Sequence, residues 1–149
     1  MRALVLALCL TAATAGSLQA APAPQPQIDA LAGAFFTDIE AGKNVEAMRL
    51  AMKDVAGVLG SQAVESGAAQ MDGILKAWGP ATSWKLFRSN MITSSFTRQV
   101  YYVETKTLPY FVAIQFYNVD GKWRIIDVRL MAYNDAKANG GFFEDVQSN

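Results

Sequence analysis

From residue 28 the chain carries an apolar stripe, Ile28, Leu31, Phe35 and Ile39, widened by Ala32 and Phe36 and stopped at Gly42. Residues at this spacing share one side of an α-helix, so an amphipathic helix of about 14 residues is predicted. Val45, Met48, Met52 and Val55 repeat the pattern behind Asn44, whose side chain can cap a second helix before Gly57 and Gly60 interrupt it. Met71, Ile74, Leu75 and Trp78 predict a third helix from about Ser66 to Ala77, with Gly79-Pro80 as its stop.

After Pro80 the period changes, because β-branched and aromatic residues take over and alternate. Strands are predicted at Trp84–Met91, Thr97–Thr105, Tyr110–Asn118 and Lys122–Tyr133. Asp120-Gly121 between the last two suits a two-residue type I′ turn. Pro109 stands at the start of the third strand, where its missing N–H does least harm. Helices followed by an antiparallel meander predict an α+β fold, with the N-terminal helices packed on one face of a curved four-stranded sheet.

The chain ends read differently. Residues 1–20 have a basic start, an apolar run from Ala3 to Leu10 and a small-residue region, the pattern of a secretory signal peptide. Cleavage is expected after Ala20, with Ala15 and Ala21 as competitors. The apolar run is too short for a membrane-spanning helix, which needs about 20 residues. A lipid anchor at Cys9 is disfavoured by bulky Leu8 where a small residue belongs. Residues 21–27, with three prolines, are expected to be a linker, 28–135 the folded domain, and 136–149 a flexible tail that Phe142 and Phe143 could dock.

Composition narrows the chemistry. The 149 residues hold 13 Lys and Arg against 13 Asp and Glu, no histidine and one cysteine. Loss of Arg2 and Cys9 with the leader takes the 13 basic residues to 12, a net charge of −1, and removes the thiol. A histidine-free chain has no Ser-His-Asp or Cys-His system, no His-ligated metal site and no imidazole shuttle. No Asp/Glu cluster, phosphate loop or nucleophile elbow takes their place, so no metal or cofactor is expected. The charge balance argues against nucleic acid. No Asn-x-Ser/Thr acceptor occurs, and with the leader this predicts a periplasmic or secreted bacterial protein. Residues 28–80 carry four basic and seven acidic side chains and 81–135 the reverse, an asymmetry expected of solvated faces or of an anion-facing sheet.

Trp78-Gly79-Pro80 leading into Trp84-Lys85-Leu86, Arg98 to Val103, Leu108-Pro109 and the run Phe116-Tyr117-Asn118-Val119-Asp120-Gly121-Lys122-Trp123 resemble small exported proteins of the NTF2-like superfamily, within the broad cystatin-like class. The resemblance implies a cone of helices over a sheet and assigns no chemistry, since that shape hosts isomerases, dehydratases, transport factors and association modules. It also implies a homodimer through the outer sheet face. A cystatin-type protease inhibitor is unlike this chain: the nearest match to its wedge, Gln62 to Gly67, is one residue too long and lies between helices.

With Asp120-Gly121 as the turn and an unbroken ladder, Asn118 faces Trp123, Phe116 faces Ile125, Ile114 faces Asp127, Val112 faces Arg129 and Tyr110 faces Met131. This places Asp127 and Arg129 on the helix-covered side, as an ion pair or as a ligand-binding pair with Tyr102, Tyr110, Phe116 and Trp123. The same residues serve equally as core and cross-strand packing. A one-residue change of register would move the charged pair to the other face. In the unbroken ladder the opposite face holds Phe111, Ala113, Ile126, Val128 and Leu130, covered by a second copy or by the tail. The function expected is a non-catalytic exported binding or interaction module, with an apolar concave cavity for a small ligand or a surface for an envelope protein. The alternative is an isomerase or lyase with Asp127 as general base and Tyr102 or Tyr110 steadying the oxyanion.

Overall fold

A computed structural model describes residues 26–138. The expected leader, most of the linker, and the tail residues Phe142 and Phe143 lie outside the described residues. Within them the order is α1 (Pro26–Glu40), α2 (Asn44–Met52), α3 (Ala56–Leu59), α4 (Ser61–Trp78), β1 (Ala81–Thr93), β2 (Phe96–Thr105), β3 (Tyr110–Val119), β4 (Lys122–Ala132) and α5 (Tyr133–Ala138). The four strands form one antiparallel sheet in the order β1-β2-β3-β4. This is the α+β meander that the NTF2-like resemblance implied. Among the described residues no helix is long and apolar enough to cross a membrane.

Helix α1 buries the predicted stripe, Ile28, Ala32, Phe35, Phe36 and Ile39, against the sheet. Phe36 stacks on Trp84 with ring centres 4.6 Å apart and meets Tyr101 at 4.8 Å. The helix starts at Pro26 and so includes two residues of the expected linker. Proline suits a first helical turn because its missing N–H would have no intrahelical partner there. The neighbouring Gln27 side chain accepts from the amide of Trp123 (3.2 Å) and donates to the carbonyl of Gly121 (3.3 Å), tying α1 to the far hairpin.

Asn44 does not cap α2. It is the first helical residue, Lys43 precedes it, and the Asn44 amide donates to Asp72 of α4 instead. Helix α4 begins at Ser61, five residues before the predicted start and directly after Gly60 (φ 85°), and runs through Gly67 and Gly73. Gln62 to Gly67 therefore lie in a helix and form no hairpin tip. Arg49 and Glu65 join α2 to α4 through two hydrogen bonds of 2.8 and 2.7 Å.

The Asp120-Gly121 turn has positive φ at both residues, 52° and 78°, as a type I′ hairpin requires. Farther along this hairpin the unbroken ladder fails. Phe116 pairs with Ile125, but Gln115 pairs with Asp127, so Ile126 is an extra residue in β4. Such a bulge reverses the facing of every residue beyond it. Ile114 consequently faces Val128, Val112 faces Leu130, and Ala113 faces Arg129. Val128 and Leu130 pack on the core, contrary to the outer-face assignment expected for them.

Candidate functional site

The six residues singled out from sequence divide between the two faces of the sheet. Tyr110 and Phe116 are fully buried in the helix-side core, and Trp123 packs against it. Asp127 and Arg129 are not with them, because the bulge at Ile126 turns both outward. There they form an exposed ion pair, Arg129 Nε to Asp127 Oδ2 at 2.7 Å. Tyr102 also lies on the outer face, with Val100, Phe111, Ala113 and Met131. Adjacent strand residues point to opposite sides, so Tyr101 is the inward member of that pair. Its hydroxyl donates to Gln99 Oε1, and burial, aided by Asp29, raises its pKa.

The outer face is partly covered by the chain itself. Phe87 meets Phe111 edge-on at 5.3 Å, and Tyr133 of α5 stacks over Phe111 at 6.1 Å. Lys85 sits 5.1 Å from the centre of the Tyr102 ring.

On the helix side a cavity of about 260 Å³ opens where the α1–α2 turn, the end of α4 and the first residues of β1 and β3 meet. Ile39, Leu75 and Ala81 give it apolar walls, and Tyr110 lines it from β3. Exposed Gly42, Lys76 and Pro80 mark its mouth. The Tyr110 residue is 1% exposed, and its hydroxyl is buried without a hydrogen-bond partner. Burial raises the phenol's pKa, so it remains neutral and able to donate. Such a group is costly to leave unpaired, and its presence in a folded protein calls for an explanation.

The mouth is electrically closed. Lys76 Nζ lies 2.6 Å from Asp72 Oδ2, and the buried Asn44 amide donates to Asp72 Oδ1 at 3.1 Å. These two bonds, Lys76 first, hold the Asp72 carboxyl below its ordinary pKa. Gly79 closes α4 at φ 92° and ψ 164°, its amide donating to the carbonyl of Leu75 (3.0 Å). Thr105 Oγ1 secures the same corner by donating to the carbonyl of Trp78 (3.0 Å).

Sequence reasoning reached Tyr110 but missed Asn44, Lys76 and the Gly79-Pro80 corner as cavity residues. Asn44 and Gly79 had each been given a local role, as a cap and a helix stop. Asp72 and Lys76, one helical turn apart, were the available sign of a paired rim. A shallower groove of about 650 Å³ runs between Ile74, Ala77 and Trp78 of α4 and Leu130 and Ala132 of β4. No unpartnered buried side-chain atom lines it.

No family model matches the chain, and no curated protein matches it. Among solved structures it is similar to a Campylobacter jejuni protein bearing the name NTF2-like transpeptidase, at 16% identity and a TM-score of 0.48. The similarity covers 66% of this chain and 95% of that one.

Proposed function

We propose that this protein is a non-catalytic exported binding module that holds a small, mainly apolar molecule in the cavity beneath its helices. The observation carrying this reading is the combination of apolar walls with one buried hydroxyl that has no partner. Ligand sites are typically apolar pockets with a few placed polar groups, and this one lies just below their usual range of roughly 300–1,000 Å³. The general-base alternative is not favoured. Asp127, the carboxylate it needs, is on the far face of the sheet and bonded to Arg129. Protein isolated from its own host and sprayed under native conditions is expected to retain one small organic molecule per chain. A bare chain that also gains no thermal stability from small aromatic and aliphatic compounds would contradict the reading.

A further inference from the structure

The cavity's polar groups differ in whether they have already found partners. Among the residues that line it Lys76 alone carries charge, and that charge is paired with Asp72 at 2.6 Å. A carboxylate entering the mouth would have to compete with Asp72 for the ammonium while lying beside a like charge, which is unfavourable. The Asn44 amide is also engaged by Asp72. The Tyr110 hydroxyl is left as a buried donor without an acceptor. About 260 Å³ is the liquid volume of roughly nine waters, and thus suits a molecule of about nine non-hydrogen atoms.

Building on the binding reading above, we infer that the ligand is a small uncharged compound, apolar over most of its surface, whose one carbonyl or hydroxyl oxygen accepts a hydrogen bond from Tyr110. Its apolar body lies against Ile39, Leu75 and Ala81. The Lys76–Asp72 pair selects against anions by leaving no free charge at the mouth.

Three probes of about nine non-hydrogen atoms each separate the contributions: acetophenone, its oxygen-free shape analogue α-methylstyrene, and benzoate. Titrated into the full chain, acetophenone is expected to bind roughly three- to tenfold more tightly than α-methylstyrene, the net effect of one hydrogen bond. Benzoate is expected to be weakest. Tyr110→Phe should erase the advantage of acetophenone and leave α-methylstyrene bound. Asp72→Asn should strengthen benzoate by releasing Lys76. Equal affinity for acetophenone and α-methylstyrene in the wild-type protein, or tightest binding of benzoate, would overturn the ligand class while leaving the binding module intact. Failure of all three probes to bind would overturn both. The wild-type ranking decides the matter even if a variant does not fold.

Discussion

Tyr110 and Asp127 show how the surroundings of one side chain decide what it can do. Tyr110 is buried with an unpaired hydroxyl, so deleting that oxygen removes a desolvation penalty along with the donor. Tyr110→Phe is therefore expected to stabilise the ligand-free protein by about 1 kcal/mol, read as a higher urea midpoint at unchanged slope. Asp127 and Arg129 form a solvent-screened pair with side chains 34% and 64% exposed. Asp127→Asn should change stability by less than about 0.5 kcal/mol in the same unfolding experiment. A large loss would place the carboxylate in the core after all. Asp72 stands between these cases: Lys76 and Asn44 lower its folded-state pKa, so its contribution is complete above the ordinary value of about 3.9 and fades as pH falls through the lowered one. The stability gap between wild type and Asp72→Asn should accordingly narrow below about pH 4 in acid titrations. Tyr110, Phe116 and Trp123 were legible as inward residues because they alternate within a well-marked hairpin. Asn44 was not, since a residue behind a glycine reads as a cap until its distant partner is known.

At the scale of the element, one inserted residue relocates the charged pair. The type I′ turn sets the β3–β4 register correctly as far as Phe116 and Ile125, and Ile126 then shifts it. An apolar residue inside an apolar strand carries no mark of a bulge, so the sequence cannot distinguish Ile126 from a regular ladder position. Deleting Ile126 would remove the extra residue and leave Gln115 opposite Asp127, Ile114 opposite Val128 and Ala113 opposite Arg129 in a regular ladder, so Asp127 and Arg129 should stay outside and Val128 and Leu130 inside. That variant is therefore expected to keep a folded circular dichroism spectrum, and an unfolded spectrum would contradict the assignment of Ile126 as the extra residue. The corner at Gly79 was legible as a helix stop, and the structure adds why glycine is required. Its backbone conformation is accessible to little else, and an added Cβ would lie 2.9 Å from Thr107 Oγ1. Gly79→Ala should cost about 1–3 kcal/mol in chemical denaturation and distort the cavity mouth.

Across the whole molecule, the two faces of the sheet have different occupants. Helices α1, α2 and α4 cover the inner face and leave the cavity at one end, whereas the outer face carries Val100, Phe111, Ala113 and Met131 under Phe87 and Tyr133. The element order was readable because the hydrophobic period changes sharply at Pro80, and the α+β architecture follows from that change. The cavity was not readable, because it forms where residues from α1, α2, α4, β1 and β3 converge, and no local pattern records that convergence. The most direct test follows the methyl resonances of Ile39 and Leu75 as acetophenone is added, with Val100 and Met131 as reporters of the outer face. The cavity reading predicts saturable shifts at Ile39 and Leu75 with Val100 and Met131 unchanged. Shifts confined to Val100 and Met131 would contradict it and move the functional surface to the other side of the sheet.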